Sequence, residues 1–261
     1  IKIIMSNFSE TALSETLLVK TKTAWTDYAI DVDFTNADQK TILSYLQLKN
    51  YSLLGYKGAT GPNQVSSGLP TWFAKPFMEM HGQVEIDYAP VYKIYAYNKA
   101  NIGTNSTIQM ESLSVELPLG TAAQLNADGT FSIIGNANPG IITVLNNRPA
   151  GTNNITIGLA AKIDGNFSPF CAFTAAPQGT VTIEPSEKIC LFAAQTSMIA
   201  GSVVGNAATP GCTFEFSSSA IDFDLQIIAG TNGIKSAPKA SPVKQISSGD
   251  SLIQILNTPS K

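Results

Sequence analysis

The side chains of this sequence whose types and spacing could do chemistry are carboxylates. Asp31 and Asp33, Glu85 and Asp87, and Asp222 and Asp224 each stand two residues apart. In an extended strand that spacing turns both members of a pair to one face. Two acids so placed can share general acid/base work if burial and mutual charge separate their pKa values. They can also offer oxygen ligands to calcium. The simpler reading is that alternating acids keep the wet face of a strand soluble. Asp31, Asp33, Glu85 and Asp87 are therefore the candidate metal ligands. No cofactor is required, calcium is the one alternative, and no catalytic residue is assigned.

Other catalytic constellations are missing or unspecific. His81 is the only histidine, which excludes multi-histidine metal centres. No Gly-x-Ser-x-Gly elbow is present to serve a hydrolase triad. Gly201-Ser202-Val203-Val204-Gly205 lacks the glycine order and the Lys-Ser/Thr ending of a phosphate loop. Cys171, Cys190 and Cys212 form an odd set with no zinc spacing. They fit one disulfide with a spare thiol, Cys171–Cys190 closing a short loop, or three buried free thiols. Asn126-Ala127-Asp128-Gly129 and Asp164-Gly165-Asn166 complete no EF-hand loop and read as turns.

The aromatic residues offer a second kind of site. Trp72, Phe73, Phe77, Tyr88, Tyr92, Tyr95 and Tyr97 concentrate in one stretch. Tyr95 and Tyr97 share one strand face, and Tyr92 takes the other. A tyrosine joins a flat apolar body to a hydrogen-bonding end, which suits sugar or protein recognition. Trp72, Tyr92, Tyr95 and Tyr97 are the candidate ligand-binding residues, against the alternative that these rings fill a core.

The elements that must position these residues read as short strands. Tyr28, Ile30, Val32 and Phe34 alternate with Asp27, Asp31 and Asp33, the pattern of a half-buried strand. Asn36 or Asp38 can cap a short helix near residues 37–48. A loop rich in glycine and proline is expected from Gly55 to Pro70. Alternation resumes at Gln83–Tyr88 and Val91–Tyr97 around Pro90, which belongs on an edge or at a bulge. Further strands are expected at Leu113–Leu117, Phe131–Ile134, Ile141–Leu145, Ile155–Ile163, Phe170–Ala175, Val181–Ile183, Ile189–Phe192, Cys212–Phe216, Ala220–Ile227 and Ser251–Leu256. Residues 183–189 and 246–252 share a small pattern that reads as a polar turn between strands. Many short strands without regular crossover helices predict an all-β chain, a β-sandwich or jelly-roll-like antiparallel architecture. One domain over 1–261 is the expectation, with a subdomain boundary near 120–130 as the alternative.

Composition narrows the partners. Charged residues make up 13% of the 261, and the formal charge is −3. Arg148 is the only arginine, and Lys235, Lys239 and Lys244 sit among prolines, so no basic surface collects phosphates. Nucleic acid is excluded. Solubility leans on Asn, Ser, Thr and Gln, as in many extracellular β proteins. Sequons at Asn7, Asn105, Asn154 and Asn166 would permit glycosylation, although chance supplies most such matches in a chain of this composition. The resulting expectation is a non-enzymatic, secreted or surface-borne binding protein for a glycan or a protein. Its rivals are a membrane-active or self-assembling β protein, with Ala193 to Ala208 as the segment concerned, and a carboxylate-based hydrolase.

Overall fold

The computed structural model describes residues 27–257. The chain opens with β1 (Tyr28–Asp33), α1 (Ala37–Leu48) and β2 (Tyr51–Thr60). Then come β3 (Leu69–Pro70), β4 (Phe73–Pro76), a 3-10 turn at Phe77–Glu79, β5 (Gln83–Tyr97) and β6 (Ser112–Leu113). The middle holds β7 (Thr121–Leu125), β8 (Phe131–Asn136), β9 (Ile142–Asn146), β10 (Ile155–Ile163), β11 (Asn166–Pro169) and β12 (Phe173–Ala175). The last part holds β13 (Thr180–Gln195), β14 (Val203–Val204), β15 (Gly211–Glu215), β16 (Asp222–Ile227), β17 (Ile234–Ser236), β18 (Lys244–Ile246) and α2 (Leu252–Asn257).

Two large sheets carry the fold, and neither closes into a barrel. The first runs β11-β10-β5-β1-β16-β17, with β12 on β10 and β6 on β5. The second is organised around β13. Its Thr180–Ile183 stretch pairs with β9, which leads to β7 and β8. Its Lys188–Phe192 stretch pairs with β15, and β2 lies along the opposite edge. Most pairings are antiparallel, but β1–β16 and β7–β9 are parallel, so both sheets are mixed. Side chains alternating inward from both sheets build the principal core, which draws on residues from Ile30 to Ile234. The result is the expected β-sandwich of jelly-roll-like character.

α1 forms where expected. The side chain of Asn36 accepts from the Gln39 N–H at 2.9 Å and satisfies one of the orphan donors of the first turn. Gln39 then reaches the sheet: its amide donates to the Ile227 carbonyl at 2.8 Å and accepts from the Ile227 N–H at 3.0 Å. A side-chain amide thus takes the place of a neighbouring strand. Pro90 also sits as expected, at a bulge where β10 passes from Ala161 opposite Tyr92 to Lys162 opposite Ala89.

Three expectations fail for identifiable reasons. The loop expected from Gly55 to Pro70 is shorter than that: residues 55–60 belong to β2, which is buried along most of its length, residues 69–70 are β3, and only 61–68 between them are loop. Its glycines mark close approaches rather than chain flexibility. A Cβ on Gly55 would lie 2.2 Å from the Phe73 ring, and one on Gly61 would lie 2.1 Å from the Thr182 carbonyl. The polar turn assigned to 183–189 is a bulge inside the long strand β13, where pairing with β2 shifts between Pro185 and Ile189. The strand expected at Ser251–Leu256 is α2, which buries Leu252 and Leu256 against a second apolar cluster that includes Tyr56 and Phe192. The matching residues 246–252 do contain a turn, closed by Ser247 N–H donating to Asp250 Oδ2 at 2.8 Å.

Candidate functional site

The acidic alternation of β1 determines the outer face of the first sheet. Ile30 and Val32 point into the core, so Asp31 and Asp33 point away from it. β5 lies on one side of β1 and β16 on the other. Asp31 is thereby opposite Glu85 on β5 and opposite Asp224 on β16, while Ala29 is opposite both Asp87 and Asp222. Carboxylate oxygens of Asp31, Asp222 and Asp224 all lie within 4.8 Å of one another. Asp31 is half-buried, whereas Asp222 and Asp224 are exposed.

This arrangement raises the Asp31 pKa to about 7. Burial is the largest cause, followed by the hydrogen bond to Asp222 and the charges of Asp222, Glu85 and Asp224. A proton held there relieves repulsion that a bound cation could relieve instead. Asp33 is drawn out of the cluster by its own loop. The Thr35 hydroxyl and N–H bond its carboxylate, the N–H at 2.7 Å, and hold its pKa below the usual value. Glu85 flanks the cluster, and Asp87 is two residue pairs further along, opposite Ala29.

The four acids proposed from sequence therefore do not form the site as a set. Spacing within one strand puts i and i+2 about 6.6 Å apart, whereas neighbouring strands are about 4.8 Å apart. The cross-strand partner is therefore nearer than the in-strand one. Asp222 and Asp224 read as a pair, but nothing local in sequence says that β16 lies beside β1. That parallel pairing joins segments separated by most of the chain.

The aromatic candidates line no open platform. Trp72, Tyr92, Tyr95 and Tyr97 are all buried, none more than 5% exposed. Each of the first three has its polar end satisfied internally. Trp72 Nε1 donates to the Ala161 carbonyl at 3.3 Å, Tyr92 to Glu187 Oε1 at 2.8 Å, and Tyr95 to the Cys171 carbonyl at 2.7 Å. Partnered hydroxyls let tyrosines fill a core without stranding a polar atom. The clefts lined by Asn36, Ile42 and Gln226, and by Asn98 and Asn153, contain none of these rings. His81 is exposed, and the three cysteines are buried and free, so no Cys171–Cys190 disulfide exists. Of the sequons, Asn105, Asn154 and Asn166 are exposed, and Asn7 lies outside the described residues.

Sequence reasoning missed a buried charge cluster between the sheets. Lys57, on β2, is fully buried. Its Nζ is 2.8 Å from Glu187 Oε2, donates to the Ser186 carbonyl, and sits 4.8 Å from the centre of the Tyr88 ring. The Tyr92 hydroxyl joins Glu187 to Tyr88, so the network ties β2 and β13 of one sheet to β5 of the other. Burial pulls the Lys57 pKa down, and the adjacent carboxylate opposes that pull. Burial pushes Glu187 up, but Lys57 and the two tyrosine hydroxyls more than offset it and leave its pKa lowered. The signal was a single lysine in the otherwise uncharged run Tyr51–Thr60.

The membrane-active reading is overturned. Of its candidate segment, Ala193, Ala194, Val203, Val204 and Ala207 are buried in the folded chain. Among the described residues no helix is long and apolar enough to cross a membrane. No protein-family model, curated protein or solved structure matches this chain.

Proposed function

We propose that the protein is a non-enzymatic β-sandwich binding protein whose acidic outer face takes up a divalent cation, calcium foremost. The observation that carries this reading is the convergence of Asp31, Asp222 and Asp224, with oxygens within 4.8 Å. Calcium takes 6–8 oxygen ligands and tolerates irregular geometry. Three carboxylates on an open sheet face leave coordination positions to water or to oxygens of a partner, whether glycan hydroxyls or protein carbonyls. So open a site belongs with the weak sites of extracellular modules, with Kd on the order of 10⁻⁴–10⁻³ M. That range suits a secreted or surface-borne protein.

The same three acids could serve a hydrolase, with Asp31 holding the proton, and its raised pKa favours that second reading. Against it, the triad lies on an exposed strand face rather than in a water-excluding cleft. Calcium titration by calorimetry at pH 8 tests the first reading. Saturable binding that disappears in Asp224→Asn supports it. No heat up to about 10 mM calcium, well above the expected range, would sink it.

A further inference from the structure

The sheet edges of this molecule are treated unequally. An edge strand exposes a row of unpaired backbone groups, and folded chains usually protect such edges with shortness, lysine, proline or cover. β11 ends at Pro169 and β4 carries Lys75 and ends at Pro76. β17 and β18 are three residues each and carry Lys235 and Lys244. β8 is different: six residues, Phe131-Ser132-Ile133-Ile134-Gly135-Asn136, without charge or proline.

No described residue covers β8. Among the described residues it pairs only with β7, and Ser132 to Asn136 are all exposed. Ile133 is 60% exposed and Ile134 is 53% exposed. Leu119, 40% exposed, adds to the same corner, because Gly120 beside it bonds Ala137 at the end of β8. One irregularity interrupts the β7–β8 pairing, between Ala122 and Ala123, and leaves Ile134 as the extra residue. Phe131 to Ile133 pair regularly.

From this we infer that β8 is a self-association surface, at which a second copy of the chain adds its own β8 antiparallel to the first. The occupant follows from the other edges. A partner strand must offer an edge long enough and free of charge and proline, and among the described strands of this protein β8 alone does. An uncharged strand meets its own copy without like-charge repulsion, although each molecule carries a formal charge of −3. A two-fold axis near Ser132 places Ile133 of each copy across from Phe131 of the other, a favourable β-branched–aromatic pair. The pairing uses the same edge on both copies and therefore stops at a dimer. One strand's width is a small interface, so the dimer belongs at Kd on the order of 10–100 μM.

Sedimentation velocity of the wild-type chain, from about 2 to about 200 μM across that range, should show the 27.6 kDa species giving way to one of twice the mass. Ile133→Lys/Ile134→Lys should remain monomeric throughout with unchanged circular dichroism. Ser132→Cys provides a readout that does not depend on that variant folding, since the native thiols are buried. On mild oxidation it should form a disulfide-linked dimer at least tenfold faster than Ser219→Cys, placed in an exposed loop. A wild-type chain monomeric at 200 μM, a dimer that survives both lysines, or equal cross-linking of the two cysteine variants would overturn the inference.

Discussion

The buried Lys57–Glu187 pair allows a quantitative test of how the sandwich is held together. Lys57 is 0% exposed and Glu187 keeps 24% of its side chain in contact with solvent, so the two members are not equivalent. Glu187→Gln removes the adjacent carboxylate charge and leaves the buried ammonium with neutral oxygens, the Ser186 carbonyl among them, and with three aromatic rings at 4.8, 5.9 and 5.6 Å from their centres. Breaking a buried pair this way costs about 3–5 kcal/mol. The cation–ring contacts and the option of shedding a proton put the expected loss near the lower figure, about 3 kcal/mol. Lys57→Met strands a carboxylate that still reaches water and accepts from Tyr92, so about 2 kcal/mol is expected. Replacing both by apolar residues, Lys57→Met/Glu187→Leu, should cost ~1 kcal/mol or less, because the desolvation penalty goes with the charges.

Urea denaturation of these proteins, with Glu187→Leu added so that the cycle with Lys57→Met closes, should give a coupling energy of at least about 2 kcal/mol. pH adds an independent check. In Glu187→Gln the folded Lys57 pKa falls further below its ordinary 10.5. The native state then binds fewer protons than the unfolded state between those two values. Stability of that variant should consequently rise with pH through this window, narrowing the gap to wild type. Single variants that both fall within about 1 kcal/mol of wild type would refute the reasoning, since ordinary surface changes are smaller than that. So would a double variant less stable than Glu187→Gln alone.

Other measurements test other parts of the fold. Asp31 has a folded pKa of about 7 against an ordinary 3.8, so the native state holds an extra proton between those values. Without calcium, stability should therefore fall as pH rises from about 4 to about 7, and Asp31→Asn should flatten that slope in thermal melts. Gln39→Ala bares both the N–H and the carbonyl of Ile227 and should cost about 2 kcal/mol in urea melts. A thiol reagent should find no reactive cysteine in the native protein and three in urea. Burial pushes the Cys171 thiol up to about 12 and raises Cys190 and Cys212 as well.

How much of this was legible depended on whether the cause was local. The β10 run Ile155–Ile163, the β1 alternation and the Asn36 cap each rest on neighbouring residues, and the structure has them where the pattern put them. The second half of β2 reads as the start of a loop because glycine usually loosens a chain. Its Gly55 and Gly58 instead admit Phe73 and Ser186, residues remote in sequence. α2 reads as a strand in sequence because six residues give helical and strand periodicities little room to differ. The aromatic cluster leaves core and binding face both open in sequence, because a tyrosine's environment depends on whether its hydroxyl finds a partner. Those partners, Glu187 and the Cys171 carbonyl, are supplied by the other sheet and by a distant loop.

The scarcity of charge connects these observations. With 13% of residues charged, an uncharged stretch of six is unremarkable by itself. The informative contrast is that β4, β17 and β18 each carry a lysine and β11 ends in a proline, while β8 has neither. Acids are just as unevenly placed, since six of them fall on the β5, β1 and β16 strands of the first sheet. Like charges on adjacent strands destabilise a sheet, and the raised Asp31 pKa is the local sign of that cost. Hydration of the face alone could be met by Ser, Thr and Asn, which this chain uses freely elsewhere. A cation that neutralises the cluster gives those acids a reason to stand together. The cluster and the β8 edge belong to different sheets. Loss of calcium binding in Asp224→Asn should therefore leave self-association unchanged, and the lysines on β8 should leave calcium binding unchanged.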